Sequence, residues 1–389
     1  MSIHVPWKFF PLFFILAFLV SDAPASQSAD RSVAEPYQID VFKAGEEGYH
    51  TYRIPAVAAT LRNTILAFCE GRKESRSDSG DIDLVLRRSF DNGKTWEPMQ
   101  VIVDDAGNTC GNPAPVVDRT TGVIWLLMTT NDGEIGEGRI NQGEGYRDVW
   151  VLKSEDDGKT WSKPVDITKS VKKPEWRWYA TGPCHGIQLE NGTLVIPCDH
   201  SLDEQSSNWF SHVIYSDDHG ASWKLGGTVP GGFTNESTVV ELVDGSLYLN
   251  VRSYLRHNLR QYSISKDQGK TWSSPQEDPT LIEPVCQAAV CRLTAKGKLE
   301  FQKNRILFSN PAAKERVNMT IRLSYDEGQS WPVAKTLHAG PAAYSDLTVA
   351  PDYSIGCLYE RGEKHAYETI TFAKCSLEWL TDGNDRLAP

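Results

Sequence analysis

The sequence predicts an all-β protein assembled from repeats, and three observations carry that expectation. An octapeptide of the pattern Ser-x-Asp-x-Gly-x-Ser/Thr-Trp occurs five times in the 389 residues: SFDNGKTW from Ser89, SEDDGKTW from Ser154, SDDHGASW from Ser216, SKDQGKTW from Ser265 and SYDEGQSW from Ser324. The starts lie 65, 62, 49 and 59 residues apart, a spacing typical of repeat architectures in which each unit needs neighbours to bury its apolar face. Around the copies lie short apolar runs of strand length, such as Ile82-Asp83-Leu84-Val85-Leu86 and Val149-Trp150-Val151-Leu152, and no segment shows a convincing amphipathic helix.

Within each copy the residue types specify a tight hairpin. The Asp accepts hydrogen bonds from backbone N–H groups just ahead of it, and the Gly two residues later takes a positive φ at no steric cost. The Trp then returns the chain to the core.

Before the repeats, Trp7 and Lys8 precede the apolar run Phe9 to Val20, and Ala23-Pro24-Ala25 offers small residues at the −3 and −1 positions of a cleavage site. Residues 1–25 therefore read as a signal peptide, 26–37 as a polar lead-in and 38–385 as a single domain. The run falls well short of the roughly 20 residues that span a bilayer, so the mature chain is expected to be exported, secreted or periplasmic, without membrane insertion. Eight cysteines in an exported chain permit disulfides, and Cys286 and Cys291 are close enough to pair locally. Neither the cysteines nor the nine histidines have the spacing of a metal site, so no metal and no cofactor are expected. A formal net charge of −11 argues against nucleic acid and anionic membranes as partners.

The five octapeptides resemble the Asp boxes of the sialidase family, which decorate the hairpins of a six-bladed β-propeller. Dividing about 350 mature residues by six gives about 58 per blade, close to the box spacing. The resemblance places the boxes on the rim, away from the active site, so the chemistry has to come from other residues. Tyr52-Arg53-Ile54-Pro55 matches the Arg-Ile-Pro motif near the N-terminus of sialidases. It implies that Arg53 is the first of three arginines gripping the sialic acid carboxylate, a task for which a planar guanidinium is suited by its paired donors. Arg72 then lines the pocket, and an Asp on the following loop is the acid/base. Asp78 takes that role, with Asp81 as the alternative, while Asp83 reads as structural.

Asn112-Pro113 and the segment Trp176 to Gly186 correspond to positions where related enzymes contact the sugar's N-acyl and glycerol groups. For Trp178 and Tyr179, sugar contact and core packing both remain open, and Cys184 departs from the Gly often found there. Asn235-Glu236-Ser237-Thr238 and Asn250-Val251-Arg252 resemble the segment carrying the catalytic Glu and, sixteen residues on, the second arginine. Glu241 is an alternative carboxylate in a strand-like run. Arg316 takes the place of the third arginine, Arg322 being read as part of the strand that follows. Gly340 to Ser345 resembles the segment that delivers the nucleophile Tyr344, and Glu360 the carboxylate that orients Arg53.

These roles suit the chemistry. The anomeric carbon of sialic acid bears a carboxylate, so an anionic nucleophile would approach against like charge, whereas a phenol deprotonated by a neighbouring Glu avoids much of that repulsion; sialidases with a Tyr nucleophile are known exceptions to the two-carboxylate pattern. The expected substrates are sialylated glycoproteins, glycolipids or oligosaccharides. Two rival readings are a non-catalytic sialoglycan-binding propeller, and the same fold acting as a trans-sialidase, as an anhydro-forming sialidase or on a related nonulosonic acid.

Overall fold

The computed structural model describes residues 1–4, 6 and 35–387. Apart from residues 1–4 and 6, the sequence-predicted signal peptide lies outside the described residues, as do residues 26–34 of the lead-in. Among the described residues no helix is long and apolar enough to cross a membrane.

The apolar runs become strands in consecutive antiparallel sets. After β1 (Tyr37–Lys43), the first set is β2 (Thr51–Ala59), β3 (Ile65–Arg72), β4 (Ile82–Ser89) and β5 (Gln100–Val103). The second is β6 (Thr109–Val117), β7 (Ile124–Asn131), β8 (Asp148–Ser154) and β9 (Val165–Asp166). In the third, β10 (Tyr179–Thr181) and β11 (Ile187–Gln188) both pair with β12 (Leu194–Ser201), followed by β13 (Trp209–Ser216) and β14 (Lys224–Thr228). The fourth is β15 (Thr234–Glu241), β16 (Leu247–Ser253), β17 (Leu259–Ser265) and β18 (Gln276–Ile282). The fifth begins with β19 (Ala289–Thr294), β20 (Arg305–Pro311) and β21 (Val317–Ser324), and is completed by the first half of β22 (Val333–Val349). From Ala342 on, β22 instead pairs with β23 (Ile355–Arg361), which pairs with β24 (Thr369–Cys375). The last set is completed by β1, whose residues Tyr37 to Lys43 run antiparallel to Lys374 to Thr369. Among the described residues helix is confined to the short α1 (Glu137–Asn141), α2 (Thr168–Val171) and α3 (Leu377–Leu380), with a 3₁₀ turn at Ser206–Asn208.

The five octapeptides fall at the hairpins that close the first five sets. In the second copy the Ser154 hydroxyl donates to Asp156 at 2.9 Å and accepts from Gly158 N–H at 2.9 Å, while Asp156 accepts from Thr160 N–H at 2.8 Å and Thr160 Oγ1 at 2.6 Å. Gly93 shows why glycine is required. Its φ is +84°, and a Cβ there would lie 2.1 Å from the Phe372 ring. The Trp of each of the last four octapeptides reaches the preceding set: Trp161 meets Phe68 edge-on at 5.8 Å, Trp223 meets Trp125 at 6.4 Å, Trp272 donates to Gly227 O at 3.1 Å and Trp331 to Asp278 at 3.0 Å. Trp96, in the first octapeptide, meets Phe372 of β24 at 5.4 Å.

All eight cysteines are free. Cys286 and Cys291 do not pair: Cys286 packs beside Tyr344, while Cys291 lies further along on β19.

Candidate active site

Four of the strands that begin a set, or cross into one, are interrupted at the same point. The register passes from Arg53↔Glu70 to Ala56↔Phe68, from Gly111↔Thr129 to Ala114↔Leu127, from Thr234↔Ser253 to Ser237↔Val251, and from Ala342↔Arg361 to Ser345↔Tyr359. In each, two residues oppose one, which bends the strand and re-aims its side chains, as bulges beside functional sites do. The doubled residues are Ile54-Pro55, Asn112-Pro113, Asn235-Glu236 and Ala343-Tyr344. Arg252 is the single residue opposite Asn235-Glu236, and Glu360 the one opposite Ala343-Tyr344. The first two bulges also carry positive φ, 62° at Ile54 and 55° at Asn112. For a β-branched residue such as Ile54 this is a strained conformation that only surrounding contacts can hold.

Those contacts come from two buried carboxylates. Glu360, fully buried, accepts from Arg53 Nε at 2.9 Å, Ile54 N–H at 2.9 Å and Tyr344 N–H at 3.0 Å, tying the bulges of β2 and β22 together. Glu70 accepts from Asn112 N–H at 2.9 Å and from Arg72 Nη2 at 2.7 Å.

At the centre, Tyr344 Oη donates to Glu236 Oε1 at 2.5 Å and accepts from Arg252 Nη1 at 3.1 Å, while Arg252 also meets Glu236 Oε2 at 2.6 Å. Burial first, and then the Glu236 carboxylate, hold the phenol well above its ordinary pKa despite Arg252 and Arg316, so it rests neutral. The Arg53 and Arg316 guanidiniums lie 5.0 and 5.6 Å from its ring centre. Three arginines therefore converge on one tyrosine. Two have carboxylate partners. Among the described residues Arg316 has none within 4.0 Å, and its Nη1 donates instead to the Tyr367 hydroxyl at 2.6 Å.

Asp78 stands at the mouth, its side chain 68% exposed, 2.7 Å from Arg72 and 3.5 Å from Arg53. Desolvation pulls its pKa up, but Arg72 and Arg53 outweigh it and hold the carboxyl below its usual range. Asp81 pairs instead with Lys73 at 2.9 Å. Glu241, at the far end of β15, accepts from Glu190 N–H at 2.9 Å. Trp178 is largely buried and stacks on the Arg147 guanidinium, 3.9 Å from ring centre to Cζ. Tyr179 offers no face to a ligand: it is fully buried in the core with Val149, Trp176 and Ile196, its hydroxyl 3.0 Å from His212 Nε2. The alternation of β10 turns it inward, so its reading as a sugar contact is corrected to core.

Three further residues belong to this neighbourhood. Arg147, buried without a carboxylate partner among the described residues, donates to Tyr179 O at 2.7 Å and to the side-chain oxygens of Asn131 and Asn112; desolvation brings its pKa down to about 10. An arginine can only donate, so the Asn112 oxygen faces it and the Asn112 NH₂ is turned away. Asp199, fully buried behind the β15 bulge, accepts from Asn235 Nδ2 at 3.0 Å. Burial, then Glu236 and Glu137, raise its carboxyl well above the usual range. Glu137, at the start of α1, has a side chain open to solvent, yet the surrounding walls and the nearby Asp78 carboxylate push it up to about 7. Nothing in their local sequence marks these three.

The chain matches the BNR repeat-like domain family over residues 63–358. It is 32% identical to an exo-alpha-sialidase of Aspergillus fumigatus, across 95% of this chain and 98% of that protein. It is 31% identical to Sialidase-3 of Mus musculus, across 91% of this chain and 98% of that protein. Among solved structures it resembles the Hadza microbial sialidase Hz136, with a TM-score of 0.79 and 32% identity over 88% of this chain and 69% of that one. Fold and site thus define a BNR-repeat protein of the glycoside hydrolase class. The chain belongs to the sialidase family.

Proposed function

We propose that this protein is a retaining exo-α-sialidase that removes terminal α-ketosidically linked sialic acids from glycoproteins, glycolipids or oligosaccharides, on a single six-bladed β-propeller of residues 38–385. The observation that carries the mechanism is the 2.5 Å hydrogen bond from Tyr344 to Glu236, set among three arginines. The propeller reading is supported by the pairing of β1 with β24 and by Trp96, which reaches β24 just as each later box reaches the set before it.

In the first step Tyr344 Oη attacks the anomeric carbon and passes its proton to Glu236, while protonated Asp78 gives its proton to the departing oxygen. Arg252, already donating to Oη, meets the negative charge that develops there. Arg53, Arg252 and Arg316 hold the substrate carboxylate. In the second step Asp78 takes a proton from water, the water attacks, and Tyr344 departs with the proton returned by Glu236. Two inversions leave the anomeric configuration unchanged. Arg72 holds Asp78 in place, and Asn112 and Trp178 face the sugar's other substituents.

The assignment of Asp78 rather than Asp81 is tested by leaving-group dependence. Asp78→Ala should lose roughly 10²- to 10⁴-fold on a sialyl-galactoside, the usual scale of general acid catalysis, and far less in the first step on an aryl sialoside, whose leaving oxygen needs little protonation. If Asp81→Ala shows that pattern and Asp78→Ala does not, the roles exchange. Product analysis by NMR separates hydrolysis from transfer to a second sugar and from an intramolecular anhydro product. A purely sialoglycan-binding propeller would show no turnover on either substrate.

A further inference from the structure

Asp78 stands on the loop of residues 73–81, between β3 and β4. The exposed middle of that loop is held by its own serines, Ser77 N–H to Ser75 Oγ at 3.1 Å and Ser79 N–H to Ser77 Oγ at 3.2 Å. From the pocket side Arg72 reaches it, donating to Arg76 O at 2.7 Å and meeting Asp78 at 2.7 Å. The two ends of the loop meet at a different cation. Lys73 Nζ lies 2.9 Å from Asp81, 3.1 Å from Asp83 and 3.7 Å from Asp104, and Lys73 N–H donates to Asp81 O at 3.1 Å. We infer that Lys73 is a positioning residue for the general acid: with Asp81, Asp83 and Asp104 it clamps the ends of the loop together and so fixes where Asp78 stands. This rests on the sialidase reading with Asp78 as acid/base, and goes beyond it by giving the base of the loop a part in proton delivery.

The clamp is tied to the sheet. Asp83 belongs to β4, opposite Gly71 of β3, is only 1% exposed, and accepts from Tyr49 Oη at 2.6 Å. The Lys73 side chain is itself 30% exposed, well short of a free surface lysine. Burial disfavours its ammonium, but the Asp81 and Asp83 carboxylates outweigh this and raise its pKa above the ordinary range. Without that cation three carboxylates would face one another, and Asp81, on the loop, would be driven away from Asp83. A second tether would remain, because Gly80 N–H donates to Thr109 Oγ1 at 3.1 Å and Thr109 Oγ1 donates to Gly80 O at 2.9 Å. The loop should therefore shift rather than come away.

A purely structural ion pair would lower the melting temperature and leave the chemistry of the folded protein unchanged. A positioning role has a different mark. Misplacing a general acid matters only as far as the departing oxygen needs its proton, and a displacement of about 1 Å can cost up to about 10²-fold.

The test compares kcat/KM, which reports the first step, on a sialyl-galactoside and an aryl sialoside. Lys73→Met, which removes the charge and keeps most of the apolar stem, should lose about tenfold or more on the sialyl-galactoside and less than about threefold on the aryl sialoside, with Lys73→Arg within about threefold of the parent on both. In an Asp78→Ala background Lys73→Met should cause no further loss on the sialyl-galactoside, as expected of two residues acting through one group. Equal losses on both substrates, full additivity with Asp78→Ala, a Lys73→Arg variant as impaired as Lys73→Met, or parental kcat/KM in a folded Lys73→Met would each overturn the inference. Should Lys73→Met fail to fold, Asp81→Asn, which removes one partner's charge at constant size, is read by the same substrate comparison and in the same Asp78→Ala background. Turnover of both substrates by the parent, with a leaving-group-dependent loss in Asp78→Ala, upholds the sialidase reading whatever the Lys73 variants do. A parent without turnover overturns both.

Discussion

Three arginines face Tyr344, but removing them should not have equivalent effects. Arg53→Ala leaves Glu360 fully buried and without its guanidinium, a change that typically costs about 3–5 kcal/mol, so that variant should lose stability as well as activity. Arg316 has no carboxylate to orphan. Arg316→Ala should melt close to the parent yet lose about 30-fold or more in kcat/KM, the scale of about 2 kcal/mol for one partner of a desolvated charge pair. A folded Arg316→Ala with near-parental activity would remove it from the site. Asp78 adds a pH dependence. Arg72 and Arg53 hold its carboxyl low in the free protein, whereas a general acid has to be protonated. A bound sialate carboxylate neutralises part of that positive field, so the pKa of Asp78 rises on binding. The alkaline limb of kcat should therefore lie at higher pH than that of kcat/KM on a sialyl-galactoside. Coincident limbs would mean that substrate charge does not reach Asp78.

Among the elements, the hairpin boxes and the bulges were legible in the sequence to different degrees. Asp, Gly and Trp at fixed offsets are needed for a local reason, so five hairpins could be located without the fold. Asp156→Ala should cost about 1.5–3 kcal/mol, as for hydrogen bonds to a charged group, and leave turnover of the folded fraction unchanged. Desolvation opposes ionisation here, but the hydrogen bonds from the Thr160 hydroxyl and N–H, with that of Ser154, together outweigh it and bring Asp156 down to about 2. Because the folded pKa lies below the unfolded value of about 3.9, that stability is present above about pH 4 and is lost as pH falls towards 2. The melting difference between parent and variant should close over that interval; a constant difference would assign the effect to something other than the carboxylate. The bulges, by contrast, left only an indirect trace, the sixteen-residue separation of Glu236 and Arg252 across β15 and β16. Family motifs pointed to Arg53, Glu236 and Tyr344, but not to the strained turn at Ile54 that aims them. Arg147 and Asp199 were invisible because their partners come from other strands, and Tyr179 was open to two readings because an aromatic serves a sugar face and a core equally well.

For the whole molecule, the site lies across the seam between the start and the end of the chain. Arg53 belongs to β2, while Glu360 and Tyr344 belong to β23 and β22, so the proposed catalytic geometry exists only if the last set is held against the first. The seam is filled by Phe42 of β1, Tyr52 of β2, and Leu358 and Phe372 of the last set, in one apolar cluster, with Trp96 edge-on to Phe372. If the sets form a closed ring, Trp96 does for this seam what Trp161 does between the first and second sets, and both are partly buried. Trp96→Ala and Trp161→Ala should then destabilise by similar amounts, somewhat below the roughly 3–5 kcal/mol of a fully buried aromatic. Both should unfold in one transition, and Trp96→Ala should lose sialidase activity at the same temperature as its fluorescence signal. In an open arrangement Trp96 would be a terminal residue with little to lose. A Trp96→Ala variant as stable as the parent would argue against closure. One whose activity vanishes well below its melting transition would show instead that the seam opens on its own, with Arg53 and Glu360 parting before the remaining sets unfold.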